Sequence, residues 1–434
     1  MSGEINMDFE FKRLGPLRGE LTVPADKSIS HRAVILASLA KGESVVQNIS
    51  WGDDVKSTIR CMRQLGVEIV QDGKVTRIRG KGCAGLTEPN DVLNCGNSGT
   101  TMRLLAGVAA ARPFLTVLTG DNSLRRRPMA RVVEPLSMMG AVICGRENSR
   151  LAPLVIRGGE LKGIEYHMKV ASAQVKSAIL LAALDARGET VIHENVSSRD
   201  HTERMLLEMG ANLERKENEI RLRGPCELDS REWRITGDIS SAAFWLVAAT
   251  IVPGSEVLVR DVGVNPTRSG VLTALKSMGA QIHLEDYRTV GGEPVADILV
   301  KHSGLQPVEI GGNIIPSLID EIPVLAVAMA MAPGTSAVRD AAELRAKESD
   351  RIAMVVSVLQ QMGVEATETA DGFIVHGQGK IPGNCRLFPG GDHRIAMASA
   401  VAGLVSEMPV MVEDFNCVDI SYPAFLQDLQ GLIR

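Results

Sequence analysis

The chain has 434 residues with a formal net charge of −5 at pH 7, and only 3% of its residues are aromatic. A mildly acidic chain with few aromatic rings lacks the basic surface and stacking platforms of a general nucleic-acid binder, so we expect no nucleic-acid partner. The seven cysteines form neither a CxxC pair nor a His/Cys group at zinc spacing, which predicts reduced thiols without a structural metal.

The sequence contains no stretch that is typical of a membrane span or a targeting signal. Residues 1–18 mix acidic and basic side chains and have no apolar run of the kind found in signal peptides. The longest uncharged stretches, Ile239–Ser255 and Ile322–Val338, are interrupted by proline and glycine, which indicates buried helices followed by turns. We therefore expect a cytoplasmic protein with no membrane partner.

An alanine-rich apolar segment that ends in a short turn and a β-branched run recurs along the chain. The copies are Ala33–Ile49, Leu104–Leu118, Ala178–Ile192, Ala242–Val259, Val324–Val338 and Ile395–Val412. Each turn carries glycine or proline, and the spacing indicates one supersecondary unit per repeat. Because these helices are apolar on nearly all sides, they are predicted to be buried.

A second helix with one apolar face follows in each repeat, and in five repeats it ends at a glycine before an apolar strand. The glycines are Gly66, Gly140, Gly210, Gly279 and Gly363. Glycine adopts positive φ after a helix more readily than other residues, so we predict helix ends at these positions. The amphipathic pattern places these second helices at the solvent side of each repeat.

The sixth repeat stops after its second helix, Pro423–Leu429, without strands of its own. Met7–Leu14 and Gly19–Val23 are strand-like and have no alanine-rich helix before them, so we expect them to complete the last repeat. The predicted fold is α/β with two similar three-repeat domains: residues 24–236, and residues 237–434 completed by strands within residues 1–23. Two crossings, near residues 23 and 237, predict hinged closure around a ligand.

The segments before the six alanine-rich helices are rich in residues that bind anions. They are Asp26–Arg32, Gly96–Arg103, Ala171–Ser177, Gly237–Ser241, Pro316–Glu321 and Gly390–Arg394. Helix capping explains four of their residues individually, namely Ser28, Ser98, Ser172 and Asp392. Cations at helix starts oppose the helix dipole, and four occur here: Lys27, Arg32, Arg103 and Arg394. This repeated placement predicts a bound polyanion.

Two further segments concentrate cations. Asp121–Met129 has three consecutive arginines before a helix predicted to begin at the next proline, and it is either a solvated loop or a phosphate or carboxylate site. Ala342–Arg351 is predicted to open a helix with Lys347 and Arg351 on one face. It is either a surface salt-bridge ladder or a site in which Glu348 acts as acid or base between cations.

Taken together, these segments closely resemble the 5-enolpyruvylshikimate-3-phosphate synthase family over essentially the whole chain. The motifs, in order, are DKSISHR at 26–32, NCGNSGTTMR at 94–103, DNSLRRRPM at 121–129, SAQVKS at 172–177, LRAKESDR at 344–351 and DHRIAM at 392–397. The resemblance implies two domains of three βαβαββ units, an inside-out α/β barrel, with no metal or organic cofactor. It implies transfer of the enolpyruvyl group of phosphoenolpyruvate to the 5-hydroxyl of shikimate 3-phosphate, with release of phosphate, in the pathway to chorismate and the aromatic amino acids. We expect a monomer whose partners are these two small molecules.

The resemblance also implies roles for individual residues. Contacts with shikimate 3-phosphate are implied for Lys27, Ser28, Arg32, Ser172, Ala173, Gln174, Arg199, Asp320 and Lys347. Contacts with phosphoenolpyruvate are implied for Lys27, Asn97, Gly99, Arg127, Gln174, Glu348, Arg351 and Arg394. Proton transfer to the methylene carbon and from the 5-hydroxyl is implied for Asp320 and Glu348, with Lys27 assisting.

Three positions bear on how far the resemblance extends. Some members of the family carry a lysine that contacts phosphoenolpyruvate at the position where this chain has Ile420. The resemblance therefore leaves that contact open. Arg199 matches only one branch of the family. Gly99 leaves space beside the backbone and predicts inhibition by glyphosate, a mimic of phosphoenolpyruvate.

Two alternatives remain open at this point. The sister family that transfers enolpyruvyl to UDP-N-acetylglucosamine typically has Lys-Asn in its first loop and a cysteine on a mobile loop. In this chain Lys27 is followed by Ser28, and Asp121–Met129 contains no cysteine. The other alternative is a catalytically silent scaffold that binds a phosphorylated ligand, which would not need Asp320 and Glu348 together.

Overall fold

The computed structural model describes residues 7–433, which form two compact units. The first unit comprises Ala25–Thr236 together with Thr289–Glu293. The second unit comprises residues 7–24, Gly237–Arg288 and residues 294–433. Residues 1–6, which belong to the predicted strand segment 1–23, lie outside the described residues, as does residue 434.

The strands of each unit form three sheets in the described part of the chain. In spatial order the sheets of the first unit are Glu232–Arg234, Lys41–Gln47, Val75–Lys81 and Glu68–Asp72; Leu93–Asn94, Leu115–Thr119, Leu151–Arg157 and Val142–Gly145; and Glu165–His167, Gly188–His193, Glu219–Gly224 and Leu213–Lys216. Those of the second unit are Arg18–Thr22, Glu256–Gly263, Glu293–Lys301 and Gln281–Val290; Glu309–Ile310, Gly334–Val338, Phe373–Gly377 and Glu365–Glu368; and Cys385–Leu387, Val410–Val412 and Phe9–Phe11. In every sheet the first two strands are parallel, and the third is antiparallel to the second.

The long helices fall into a buried set and an outer set. The buried helices are Lys27–Leu39, Gly99–Ala110, Ala173–Ala183, Ile239–Ile251, Ile322–Met331 and His393–Gly403. The outer helices are Asp53–Gln64, Ala130–Met138, His201–Glu208, Gly270–Ser277, Arg351–Gln361 and Phe425–Leu432. The remaining helical segments are short: Cys83–Gly85, Leu124–Arg126, Arg146–Ser149, Gly312–Ile314, Ile315–Leu318, Ala342–Ala346 and Phe415–Ile420. Strands and helices alternate as βαβαββ repeats, which confirms the predicted α/β fold class.

Local sequence explains both helix sets. Every residue of Ile239–Ile251 is buried, as a helix that is apolar on all sides requires. The outer helix Asp53–Gln64 buries one face, which includes Val55, Ile59 and Met62. The five predicted end glycines all have positive φ, between 82° and 115°, which confirms that these outer helices end where the sequence indicates.

The two N-terminal strands join different sheets. Phe9–Phe11 lies antiparallel to Val410–Val412 and completes the last repeat. Arg18–Thr22 instead runs parallel to Glu256–Gly263, so it supplies the first strand of the fourth repeat. The expectation that both strands complete the last repeat is therefore wrong for the second strand. Its sequence alone contains nothing that distinguishes the two possible partner strands.

Small residues set the distance between two buried helices of the first unit. A Cβ atom added to Gly107 would lie 2.2 Å from the carbonyl oxygen of Ala178. Only glycine therefore permits this approach of helix Gly99–Ala110 to helix Ala173–Ala183. The contact sets the closest approach of these two helices.

Among the described residues, no single helix has the length and apolarity needed to cross a membrane. One strongly bent pair, Gly312–Leu318 with Ile322–Met331, meets the criteria by length and composition only. The second member of that pair is one of the buried helices, with nine of its ten residues buried.

Candidate active site

The buried helices of the first unit begin at short polar caps. The side chains of Asp26, Ser98 and Ser172 accept hydrogen bonds from backbone N–H groups of the first turn, at 2.8, 3.1 and 3.5 Å respectively. The explanation of Ser28 as a cap is wrong, because Asp26 occupies that position and Ser28 lies within the first turn. Ala173 is the first residue of the third buried helix, so its N–H group is one of the helix-start groups that need no partner within the helix.

Lys27 is the first residue of the first buried helix, and a carboxylate neutralises part of its charge. Its ammonium nitrogen is 2.9 Å from Asp54 Oδ2, and the two side chains are only 18% and 13% exposed. Asp54 was not predicted, because the contact joins two helices and leaves no local sequence pattern. A cation at this helix start is thus explained in part by the protein itself, and does not by itself require a bound anion.

Arg32 is buried and donates to three neutral oxygens. These are Thr202 Oγ1 at 2.7 Å, Ser177 Oγ at 2.9 Å and the carbonyl oxygen of Ser28 at 2.9 Å. Burial lowers the pKa of Arg32 to about 10, against the opposing effect of a nearby glutamate, and the charge of Arg199 adds to the lowering. Two guanidinium groups near each other, one of them buried, favour an anionic ligand.

Gln174 connects the starts of the second and third buried helices. Its side-chain oxygen accepts a hydrogen bond from Arg103, and its amide nitrogen donates to Thr100 Oγ1 at 2.9 Å. Arg103 is therefore held by a neutral amide, so that its charge is oriented but not cancelled by this contact. The link depends on the helix spacing that Gly107 sets.

Arg127 is the member of the arginine cluster that joins this group. It is buried and donates to Asn97 Oδ1 at 2.6 Å, and Asn97 donates to Asp121 at 2.6 Å. A Cβ atom on Gly99 would lie 3.0 Å from Nη1 of Arg103 and 3.4 Å from Nη1 of Arg127. The backbone of Gly99 therefore lies against two guanidinium groups.

The helix after the arginine cluster does not begin where the sequence indicates. It begins at Ala130, two residues beyond the predicted start at Pro128. Met129 is the residue that caps this helix, and its N–H group donates to the carbonyl oxygen of Arg150 at 2.8 Å.

A buried chain of hydroxyl groups runs from His31 to the second helix start. His31 Nδ1 is 2.7 Å from Thr58 Oγ1, which is 2.7 Å from Thr101 Oγ1, and Thr101 donates to Ser98 Oγ at 2.8 Å. Burial lowers the pKa of His31 to about 3, so the imidazole is neutral near pH 7. Sequence reasoning gave His31 no separate role. These hydrogen-bonded side chains connect the N-terminal parts of two buried helices.

In the second unit, Asp320 is held by two cations. Its Oδ1 atom is 3.2 Å from Lys347 Nζ and 3.2 Å from Arg351 Nη1. Arg351 also donates to Glu348 Oε2 at 2.6 Å. Two carboxylates therefore lie on the same guanidinium group, with a lysine beside one of them.

Arg351 is buried and is surrounded by carboxylates. Its Nε atom donates to Asp392 Oδ2 at 2.9 Å, in addition to the contacts with Asp320 and Glu348. Burial opposes the charge, but these three carboxylates outweigh it and raise the pKa of Arg351. Burial likewise disfavours ionised Asp392, but Arg351 holds the pKa of Asp392 below its usual value. Arg351 is thus a fixed cation.

The predicted helix through Lys347 and Arg351 is wrong in its extent. The outer helix begins at Arg351, where Asp350 caps it by accepting from the Ala353 N–H at 3.2 Å, and Lys347 lies outside it. The preceding turn, Ala342–Ala346, is a separate 3₁₀ helix. The two cations converge through tertiary structure on Asp320, and not through helical i,i+4 spacing.

Arg394 lies in the first turn of the last buried helix, whose cap is Asp392. Arg394 Nη1 donates to the carbonyl oxygen of Asp320 at 3.0 Å and is 3.7 Å from Glu321. Glu321 is buried and also accepts from Arg268 at 2.9 Å. Neither Glu321 nor Arg268 was predicted, because their contacts join distant segments.

The predicted site residues therefore form two sets. The first unit carries Lys27, Ser28, Arg32, Asn97, Gly99, Arg127, Ser172, Ala173, Gln174 and Arg199. The second unit carries Asp320, Lys347, Glu348, Arg351 and Arg394. Ile420 is half-buried at the end of the short helix Phe415–Ile420.

Three-repeat α/β units with charged groups at the starts of buried helices define the enolpyruvyl transferase class of enzymes. The family model for EPSP synthase (3-phosphoshikimate 1-carboxyvinyltransferase) matches residues 12–429. The chain therefore belongs to the EPSP synthase family.

Individual relatives agree over nearly the full length. The 3-phosphoshikimate 1-carboxyvinyltransferase of Syntrophomonas wolfei is 53% identical over 419 residues, covering 96% of this chain and 98% of the relative. That of Desulforudis audaxviator is 54% identical over 418 residues, covering 96% and 97%. The solved EPSP synthase of Acinetobacter baumannii has a TM-score of 0.87 at 41% identity and covers 99% of this chain and 98% of its own. The predicted family is confirmed.

Proposed function

We propose that this chain transfers the enolpyruvyl group of phosphoenolpyruvate to the 5-hydroxyl of shikimate 3-phosphate and releases phosphate. The observation that carries the proposal is that Asp320 and Glu348 share the buried Arg351, in a chain of the EPSP synthase family. Addition requires that one proton leave the 5-hydroxyl and that one reach the methylene carbon of phosphoenolpyruvate. Two carboxyl groups beside one fixed cation suit these transfers. Loss of a proton from the new methyl carbon, together with phosphate, then restores the double bond.

The first unit supplies most of the proposed shikimate 3-phosphate contacts. The phosphate is placed against Arg32 and Arg199, because the hydrogen bonds of Arg32 go to neutral oxygens and its pKa is lowered by burial. Backbone N–H groups at the helix starts would add further donors to the same anion. The other proposed contacts are Lys27, Ser28, Ser172, Ala173, Gln174, Asp320 and Lys347.

Phosphoenolpyruvate is assigned to residues of both units. The backbone of Gly99 lies against the guanidinium groups of Arg103 and Arg127, whose charges would attract a small anion to this helix start. Arg351 and Arg394 provide fixed cations of the second unit. The remaining proposed contacts are Lys27, Asn97, Gln174 and Glu348. Cations in these positions offset the charge that two anionic substrates bring and orient the reacting groups.

Phosphate release is the direct test. The protein is mixed with phosphoenolpyruvate and shikimate 3-phosphate, and in parallel with phosphoenolpyruvate and UDP-N-acetylglucosamine. Release that requires shikimate 3-phosphate supports the proposal, and release only with the nucleotide sugar would assign the chain to the sister reaction. Tight binding of shikimate 3-phosphate without turnover would instead favour the silent scaffold.

Variants separate binding from chemistry. We expect Asp320→Ala and Glu348→Ala to lower turnover while shikimate 3-phosphate still binds, because the phosphate contacts lie mostly in the first unit. Asp340→Ala is a matched control, since Asp340 is an exposed carboxylate of the same unit that accepts a backbone N–H at 2.8 Å. Full turnover in both site variants would refute the proton-transfer roles.

Four finer points complete the proposal. The proposed domains are 24–236 and 237–434, the latter completed by strands within 1–23; they differ from the two units at residue 24 and at Thr289–Glu293. The domains are proposed to close by a hinge when substrates bind, and solution scattering with and without both ligands tests the closure. The enzyme is a monomer in the cytoplasm, a placement consistent with its seven unpaired cysteines. It has no macromolecular partner. Glyphosate inhibits it, and a titration at saturating shikimate 3-phosphate that gives no inhibition would refute this.

A further inference from the structure

A row of histidine and glutamate side chains, residue types that can bind a metal ion, crosses one sheet of the first unit. His167 on the edge strand is in register with His193 on the neighbouring parallel strand. His193 is in turn in register with Glu219 on the next, antiparallel strand. Glu165 precedes His167 by two positions and therefore points to the same face of the sheet.

The side chains in this row already lie close together. The carboxylate of Glu165 is 2.9 Å from His193 Nε2 and 4.0 Å from His167 Nε2. The two imidazole rings are stacked, with centroids 4.4 Å apart and planes 13° from parallel. One ligand atom from each of Glu165, His167 and His193 falls within 4.8 Å of the other two. Within the described residues this is the one such group of three or more His, Cys, Asp or Glu side chains.

The donors and their freedom to move suit a transition-metal ion. Two imidazoles and a carboxylate are typical ligands of Zn²⁺, Ni²⁺ and Cu²⁺, and Zn²⁺ holds such ligands at about 2.0–2.2 Å, which places them about 3.4 Å apart. The outer distances must therefore shorten by roughly 1 Å. His167 and Glu165 are 73% and 66% exposed, so rotation of their side chains suffices and the strands need not move. Tyr166, between them, points to the opposite face and is buried.

We propose that His167, His193 and Glu165 bind a divalent transition-metal ion of the Zn²⁺ class. Glu219 lies 3.7 Å from His193 Nδ1, beyond hydrogen-bond distance, and accepts a hydrogen bond from Arg221 at 2.6 Å, so we do not count it among the ligands. None of these residues belongs to the candidate active site, so the site has no part in enolpyruvyl transfer. Bound metal joins the three-residue edge strand Glu165–His167 to the sheet and stabilises this repeat by mass action.

Calorimetric titration of untagged, metal-free protein with ZnCl₂ tests the proposal, without substrates present. The titration is made in a C144S background, because Cys144 is an exposed thiol and thiolates are zinc ligands that could add to the signal. We expect H167Q and H193Q each to weaken Zn²⁺ binding at least about tenfold. H376Q is the matched control: His376 is a partly exposed strand histidine 4.0 Å from Glu365, but no second histidine accompanies it in the described residues.

The outcomes are distinguishable from those of the proposed function. Binding that survives in H376Q and is weakened in both H167Q and H193Q supports the site, and Co²⁺ should then give the visible absorption of a low-coordinate complex. Binding that is unchanged in H167Q and H193Q, or no binding at about 100 µM Zn²⁺, overturns it. His167 lies on an exposed edge strand, so we expect the H167Q variant to fold normally, and circular dichroism checks this. Turnover of the metal-free protein is measured separately and does not bear on the result.

Discussion

Gly107→Ala is predicted to damage the first unit and its half of the site together. The added Cβ would lie 2.2 Å from the carbonyl oxygen of Ala178, whereas side chains essentially never approach closer than 3.0 Å. The helices Gly99–Ala110 and Ala173–Ala183 must therefore separate by about 0.8 Å, the difference between 3.0 and 2.2 Å, or bend.

The energetic terms oppose each other. Alanine gains about 1 kcal/mol over glycine within a helix, while overpacking of this kind costs about 1–3 kcal/mol and occasionally more. The backbone carbonyl at Ala178 cannot rotate away as a flexible side chain would, so we place the overpacking term at or above the upper end of that range. The net expectation is a destabilisation of about 2 kcal/mol or more, which lowers the Tm by at least roughly 4–8 °C for a unit of this size.

The same displacement acts on the site. The Arg103–Gln174 hydrogen bond joins the first turns of the two helices that Gly107 spaces. A shift of about 1 Å in positioning groups lowers turnover by up to roughly 10²-fold. We therefore expect lower kcat even at temperatures where Gly107→Ala is fully folded.

Gly431→Ala is the matched control for differential scanning calorimetry and steady-state kinetics. Gly431 also lies in a helix, but a Cβ atom added to it would have nothing within 4 Å, so alanine should raise stability slightly and leave turnover unchanged. An unchanged Tm and kcat for Gly107→Ala would refute the reasoning, because it would mean that the helix contact is looser than described.

Three further substitutions test the site. Gly99→Ala places a methyl group 3.0 and 3.4 Å from the guanidinium nitrogens of Arg103 and Arg127, so KM for phosphoenolpyruvate and the inhibition constant for glyphosate should both rise, whereas unchanged constants would show that no anion binds there. Glu348→Gln keeps the size of the side chain but removes its proton exchange, and kcat should fall by about 10²-fold or more with shikimate 3-phosphate affinity retained in calorimetry. His31 has a pKa lowered from 6.5 to about 3, so the unfolded chain binds the proton more readily and stability falls as pH drops from 6.5 towards 3. His31→Gln should reduce that slope by up to about 1.4 kcal/mol per pH unit in urea titrations, and an unaltered slope would contradict a buried neutral imidazole.

The repeat architecture could be predicted because its signals are local. Alanine-rich apolar runs predict buried helices wherever they occur, and a glycine after an amphipathic helix marks a helix end without reference to the rest of the fold. Gly66 and Gly363, for example, carry the same information in repeats of different units. The motifs at the helix starts were found for the same reason, since each is contiguous in sequence.

Contacts between distant segments could not be predicted. Asp54 reaches Lys27 from another helix, and Arg268 reaches Glu321 across 53 positions of sequence. Lys347 meets Asp320 outside any helix, although its spacing from Arg351 in the sequence favoured a shared helix face. Each case depends on which surfaces pack together, and one sequence without its fold does not contain that information.

Strand register hides the histidine row in the same way. Glu165 and His167 show the two-residue spacing of one strand face, but His193 follows 26 positions after His167 with a helix between them. Only the pairing of the two strands brings the imidazoles to a centroid distance of 4.4 Å. A search for contiguous metal motifs passes over such a group.

The separate destinations of the two N-terminal strands impose an order on biosynthesis. Phe9–Phe11 leaves the ribosome early, yet its partner Val410–Val412 is translated about 400 residues later, and closing so long a loop carries a substantial entropic penalty. The strands of the three repeats within Ala25–Thr236 pair with one another, so these repeats can fold while translation continues. Phe9–Phe11 therefore remains an unpaired strand until Val410–Val412 has been translated, which makes the nascent second unit the stage at which chaperone binding and aggregation compete.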